Sequence, residues 1–482
     1  MDLVDVPAST RQLDEHEHLD VPHRLIAAPR PLEVGQVVVL RDLDGRHRWA
    51  AVDRLRFTET DTVYEMQLGH PMPLERAVEV GAYESRRMAR PFVRVPDVHR
   101  MLDGMRDQRA RALVLGGARL LPVAPLRVYT CGITPYAVTH VGHAATFVWA
   151  DVLASVARAA GAQPVLARNV TDVDDVLTAA AARAGEPYDE LAVVQEFQFD
   201  RDMTALSVAR PAQSPHARGH VPAVVRLAAA LLDAGAAYEH EGHVYFDGSS
   251  VPVAPGLDEE TALRLSREYG DQDSVPGRRS PFDVAVWRPS GEDQPAWPSP
   301  WGWGRPGWHA ECAAMAAASL GHAIDVLVGG VDLAFPHHAY QAAMVEAATG
   351  VAPFARATMH VGEVRLGGEK MAKSTGNLVL VSDLLERFPG PVLRLGLLHR
   401  PVGEAWECTD EVFVEAGALL DRLHEAAGPP SGRTEDPQGR ASVLAALLAG
   451  LDVPAAVEVA LDTGGDAVGY LLDVLRLRER AV

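Results

Sequence analysis

One segment constrains the fold more than any other part of the chain. From Leu126 to Thr130 apolar and polar residues alternate as in a strand, a turn follows at Cys131-Gly132-Ile133-Thr134-Pro135-Tyr136, and from His143 onward Val148, Val152 and Val156 recur at helical spacing until Gly161. Pro164-Val165-Leu166-Ala167-Arg168-Asn169-Val170 then reads as a second strand. Strand, helix, strand in this order commits the chain to a parallel sheet flanked by helices, with ligand sites at the carboxyl ends of the strands. His140-Val141-Gly142-His143 opens the helix. Free N–H groups and a partial positive charge at such a helix start favour anions, and two imidazoles beside it suit a triphosphate. Taken alone, His-x-Gly-His reads equally well as two ordinary histidines.

A second motif changes that balance. Lys370-Met371-Ala372-Lys373-Ser374 sits in a Gly-flanked loop after the strand-like run Ala357 to Leu366. Two lysines on a loop can neutralise the charge that develops on a leaving pyrophosphate, although a lone Lys-x-x-Lys-Ser is usually a solvated loop. The two motifs, in this order, closely resemble the two signatures of class I aminoacyl-tRNA synthetase catalytic domains. Pro306-Gly307-Trp308-His309-Ala310-Glu311-Cys312 and Gly329-Gly330-Val331-Asp332-Leu333-Ala334-Phe335-Pro336-His337-His338 look like the cysteinyl branch of that class. Within the branch, Gly132 to Tyr136 and Ser374 to Ser382 are similar to the mycothiol-pathway ligases, which join cysteine to the amino group of glucosaminyl-inositol. The resemblance covers roughly residues 124 to 482.

The resemblance implies a class I synthetase-type, Rossmann-like parallel sheet of α/β class, with an insertion, a C-terminal helical bundle and a small, β-rich N-terminal module. It implies an ATP-dependent, AMP-forming cysteine ligase. Cysteine carboxylate attacks the α-phosphate to give cysteinyl-adenylate and pyrophosphate, and an amine then takes the cysteinyl group as AMP leaves. His140, His143, Lys370 and Lys373, with magnesium (Mg2+), would stabilise the charge. By the same resemblance Thr134, Thr146 and Asn169 to Thr171 touch the adenylate, Asp332 after Gly329-Gly330 accepts from ribose hydroxyls, Val364 lies near adenine, and Trp308 walls the cysteine pocket.

Cys131, Cys312 and His337 are scattered, and by themselves read as two buried thiols and a satisfied histidine. The resemblance makes them a zinc (Zn2+) set with one open position, which a substrate thiolate fills and a serine hydroxyl fills less well. His338 is expected to orient this set, and Cys408 to be structural. Asp172, Asp174 and Asp175 read as a structural turn. The family pattern has an acid where this chain has Ala137 and Ala339, and a serine at Ala372 and Val331. A Gly-Gly-Asp-Pro loop of the mycothiol ligases corresponds here to Arg267-Glu268-Tyr269-Gly270-Asp271-Gln272.

With 482 residues, 48% of them hydrophobic, the chain can bury several cores. Residues 1–105 read as a separate β-rich module, with strands at Gly35–Leu40, Arg48–Val52 and Thr62–Leu68 and a hairpin turn at Asp44-Gly45. A helix from Val98 to Leu113 leads into a helical linker at 106–123. Residues 124–385 form the catalytic domain, with an insertion at about 176–305, and 386–482 a helical domain. The three cysteines do not make a disulfide framework, and His16, His18 and His23 read as a solvated tail. No run of about 18 apolar residues suggests a membrane span, and the acidic start lacks a signal layout, so a cytoplasmic protein is expected.

A net charge of −20, from 65 acids against 45 Lys and Arg, argues against gripping a nucleic-acid backbone. Only about 100 residues follow residue 385, fewer than the tail of the tRNA-charging members. The expected partners are therefore cysteine, ATP and a small amine, glucosaminyl-inositol first. The alternatives are cysteine loading onto another metabolite or a carrier protein, tRNA charging, or an inactive regulatory paralogue.

Overall fold

The computed structural model describes the chain except residues 1–2, 7, 15, 17, 24–31, 33, 43, 45, 58–61, 73–111, 122–124, 137–138, 252–256, 270–276, 292–293, 372–375, 430–433 and 479–482. It divides into two compact units, Met1–Arg109 and Ala110–Val482. In the first, β1 (Leu3–Asp5), β2 (His18–Pro22), β3 (Val37–Arg41), β4 (His47–Phe57) and β5 (Thr62–Met72) form one sheet in the order β1-β3-β4-β5-β2. The pairs are antiparallel except β1 with β3. Alternation places Val38, Leu40, Ala50, Val52, Tyr64 and Met66 on one buried core with Val4 and Val21. Asp42 closes the turn between β3 and β4 by accepting from the backbone N–H groups of Asp44 and Arg46.

The second unit opens with a surprise. Much of the expected helical linker lies outside the described residues, but β6 (Leu113–Leu115) and β7 (Ala118–Leu120) within it form a hairpin, not a helix. Gly116 and Gly117 both have positive φ, and two such residues make the tight turn whose twist suits paired strands.

The βαβ unit follows as β8 (Leu126–Ile133), α1 (Val141–Ala159) and β9 (Pro164–Val170). The insertion carries α2 (Asp175–Ala184), α3 (Tyr188–Ala205), α4 (Ala217–Asp233), β10 (Ala237–His240), β11 (His243–Phe246), α5 (Glu259–Tyr269), β12 (Val284–Pro289) and β13 (Gly304–Pro306). The chain returns through α6 (Trp308–Leu320), β14 (Ile324–Gly330), α7 (Ala339–Thr349), β15 (Ala355–Val361), β16 (Val364–Leu366) and β17 (Glu369–Lys370). It ends in helices α8 (Val381–Leu385), α9 (Gly390–Leu398), α10 (Asp410–Ala427), α11 (Pro437–Leu448), α12 (Val453–Thr463) and α13 (Gly465–Val474).

The catalytic sheet runs β15-β14-β8-β9, all parallel. Its two faces feed two cores. Leu126, Val128, Val326 and Val328 pack with α1 and the C-terminal helices, while Tyr129, Cys131 and Leu327 pack with α4, α6 and α7. Since β9 lies to one side of β8 and β14 and β15 to the other, the strand order reverses between β8 and β14, and ligands bind at such a switch point. Arg394 on α9 is fully buried, donating to Asp151 on α1 and to the carbonyls of Leu206 and Leu475, which ties the helical domain to the sheet.

The insertion is not only helical: a four-stranded antiparallel sheet, β10-β11-β12-β13, accompanies α2 to α5. Its strands β10 and β11 are four residues each, joined through Glu241 and Gly242 at positive φ, too short for a period to show. The aspartates behave as a turn. Asp174 caps α2 by accepting from Val176 N–H, Asp172 accepts from Arg218 N–H, and Asp175 pairs with Arg305 and Arg288.

Candidate active site

A cleft of about 410 Å³ opens at the carboxyl ends of β8, β14 and β15. The residues singled out from the sequence as catalytic, nucleotide-contacting or metal-ligating line it, except Val170, which is buried in the core, and Lys373, which lies outside the described residues together with Ala137 and Ala372. The two ends of the cleft differ in chemistry.

At the deep end Cys131 of β8, Cys312 of α6 and His337, just before α7, bring their ligand atoms within 4.8 Å of one another, all three buried. Nδ1 of His337 lies 2.8 Å from Nδ1 of His309, its ring stacks on Trp308 at 4.1 Å, and its Nε2 is buried without a hydrogen-bond partner. Burial, then the neighbouring His309 and His338, hold the His337 pKa well below the usual value, so the imidazole is neutral, the form that ligates a metal. The hydrogen bond with Cys131, then burial, push the Cys312 thiol well up. A cation beside Cys312 would favour its thiolate against that push. Two sulfurs and one imidazole nitrogen, the orphaned and buried Nε2 of His337, fit zinc.

Three neighbours complete this corner. His309, not His338, holds the ring of His337. His338 turns away, its Nδ1 lying 2.9 Å from Nε2 of His360, and burial lowers the pKa values of this pair to about 3 and about 4. Asn169, expected at the adenylate, directs both ends of its amide to the cysteine motif, accepting from Gly132 N–H at 2.9 Å and donating to Cys312 Sγ at 3.4 Å. The strands approach so closely there that a Cβ on residue 132 would sit 1.6 Å from the Asn169 carbonyl oxygen. Gln341 was not singled out from the sequence. It is fully buried on α7, four residues after His337, with Oε1 3.5 Å from Cys131 Sγ and Nε2 donating to the Cys312 carbonyl. The spacing of four, which puts two residues on one helical face, was the available signal.

At the open end His140 precedes α1, which starts at Val141, two residues before the expected position, and the His140 and His143 rings stack at 3.9 Å. Val141 N–H donates to Val379 O and Val381 N–H to Thr139 O, so the segment after the lysine motif is stitched to the histidine motif. The expected strand from Ala357 to Leu366 is two strands, β15 and β16, and β17 folds back on β16 to end at Lys370. Lys370 Nζ lies 3.1 Å from Asp332 Oδ2 in the turn after β14. Thr134 and Thr171 share a hydrogen bond of 2.6 Å between the ends of β8 and β9, Thr146 is buried on α1, and Val364 is buried on β16.

A four-stranded parallel sheet with a helix-start histidine pair and a lysine strand end gathered at its switch point defines a class I synthetase-type catalytic unit. Residues 121–416 match the family described as tRNA synthetases class I (C) catalytic domain, and the chain belongs to that family of ligases. A Streptomyces griseus protein named L-cysteine:1D-myo-inositol 2-amino-2-deoxy-alpha-D-glucopyranoside ligase is 42% identical over 358 residues, 73% of this chain and 87% of that one. A Rhodospirillum centenum cysteine–tRNA ligase is 40% identical over 312 residues, 63% of this chain and 67% of that one. Among solved structures, methionyl-tRNA synthetase of Mycobacterium tuberculosis bound by methionyl-adenylate is similar in fold at 17% identity, with a TM-score of 0.50 over 74% of this chain and 86% of that one.

Proposed function

We propose that the protein activates cysteine with ATP, as cysteinyl-adenylate, and transfers it to the amine of a small molecule, with glucosaminyl-inositol as the first candidate. The observation that carries this is that a soft donor set, Cys131, Cys312 and His337, and groups able to meet phosphates, His140, His143 and Lys370, line one cleft. Zinc held by the three donors would keep a substrate thiol as thiolate and so favour cysteine over serine. Trp308 covers that corner. Asp332 accepts from the ribose, Val364 and Gly330 flank the base and sugar, and Thr134, Thr146 and Thr171 surround the adenylate.

The start of α1, with His140 and His143, meets the phosphates, and Lys370, with Lys373 beside it in sequence, neutralises charge as the α-phosphate bond to pyrophosphate breaks. Magnesium travels with the phosphates. The acceptor amine then attacks the activated carbonyl, an amide bond forms, and AMP leaves. The net charge of −20 and the name of the Streptomyces griseus relative, which matches 73% of this chain against 63% for the cysteine–tRNA ligase, support a small amine over tRNA. Incubation with ATP and cysteine plus either glucosaminyl-inositol or tRNA tests this, with mass spectrometry of the products. Cysteinyl amide from the sugar amine is expected, and cysteine charged only onto tRNA would overturn the assignment.

A further inference from the structure

Helix α3 of the insertion is apolar on two sides. Ala192, Phe199 and Met203 are buried, while Val193, Val194 and Phe197 face outward. At 71% and 68%, Phe197 and Val193 are the two most exposed large apolar side chains among the described residues. Apolar residues on both sides of a helix favour a cover on both. We propose that the outer face of α3 pairs with the same face of a second copy of the chain, antiparallel and about a two-fold axis.

The spacing points to this occupant. Glu190, Val194, Phe197 and Arg201 are all exposed and follow one another at intervals of four, three and four, the a/d spacing of a seam that a second helix fills. In an antiparallel pair Val194 of one copy meets Phe197 of the other. The same register sets Glu190 against Arg201, because both pairs are centred between Gln195 and Glu196. A two-fold axis repeats each contact, giving two apolar layers flanked by two pairs of opposite charge. Parallel pairing would instead set Glu190 against Glu190 and Arg201 against Arg201.

The other acids beside the seam have partners within the molecule. Glu196 bonds His216 at 3.0 Å and Asp200 pairs with Arg168 at 3.0 Å. Arg201 has Asp202 at 3.8 Å, with its own side chain 65% exposed and within reach of a facing carboxylate. Area then sets the strength. The three apolar side chains expose about 300 Å2 per copy, well below the roughly 800 Å2 that each partner of a stable complex buries, so the pair should dissociate at about 10–100 μM. Glu190, Val193, Val194, Phe197 and Arg201 all lie outside the catalytic cleft, so pairing can be tested apart from the chemistry.

Sedimentation of the full-length protein from about 1 to about 300 μM reads the association, and the wild type should pass from monomer to dimer across that range. Phe197→Glu should stay monomeric throughout, a loss of at least about thirtyfold. Glu190→Arg or Arg201→Glu alone sets like charges together and should weaken pairing about tenfold, while the double variant carrying both should return to within about threefold of the wild type. Circular dichroism checks folding, and if Phe197→Glu fails to fold the charge variants decide. A wild type that is monomeric at every concentration, a dimer that persists in folded Phe197→Glu, single charge variants that pair as the wild type does, or a double variant no better than the singles would overturn the pairing.

Discussion

The two ends of the cleft are built on opposite principles. Cys131, Cys312 and His337 are at most 5% exposed, come from three separate elements, and are held by Trp308, His309, Asn169 and Gln341. Lys370 and Asp332 face each other with side chains about a third exposed, 30% and 37%, one at the end of a two-residue strand and the other in a single turn. A small amino acid offers few atoms to recognise, so selectivity requires a packed, preformed donor set. Phosphates carry much charge and little shape, and cations at a solvated edge suffice to meet them. Substitution should therefore remove recognition at the deep end and only rate at the open end.

The largest effect should come from Cys312→Ser. Zinc content should fall from about one per chain to almost none, and cysteine-dependent exchange of pyrophosphate into ATP should drop roughly a thousandfold, because the site then lacks its specific ligating group. Cys408→Ser, at a buried core position just before α10 and outside the cleft, should leave both unchanged. Equal zinc in wild type and Cys312→Ser would erase the distinction between the two ends.

Next in size is Lys370→Ala. Losing a charge aimed at the leaving phosphate costs about 3 kcal/mol, close to a hundredfold in exchange rate, with zinc content unchanged. Loss of zinc in this variant would show that the two ends are one structural unit.

The smallest effect lies outside the cleft. His216, before α4, bonds Glu196 of α3 at 3.0 Å, and that bond, against opposing burial, raises its pKa above the usual 6.5. A raised histidine pKa contributes stability fully below the unfolded value, and the contribution fades as pH rises through the folded value. Thermal unfolding of wild type and His216→Gln should differ by a few tenths of a kcal/mol near pH 6 and converge above pH 8, with zinc content and exchange untouched. A difference that grows with pH would reverse the sign of the interaction.

Sequence reading reached the fold through β8, α1 and β9, whose periods run long enough to register, and reached the site through contiguous motifs. It missed what depends on contacts between distant segments. The antiparallel sheet of the insertion is made of short strands, and the β6–β7 hairpin depends on two glycines at positive φ. Asn169 was legible as a site residue, but its attachment to Cys312, 143 positions away, was not. His309 sat inside a quoted motif with no assigned role until its contact with His337 appeared. Gln341 sits in a helix of small residues, where one polar side chain reads as unremarkable until the cysteines surround it.

The most direct measurement is isotope exchange between pyrophosphate and ATP by the purified full-length protein, without tRNA, with cysteine or serine as the amino acid and with zinc quantified in the same sample. Exchange that requires cysteine, falls by several orders of magnitude with serine, and scales with bound zinc is the predicted result. Absence of cysteine-dependent exchange, equal exchange with serine, or full activity in metal-free protein would contradict it.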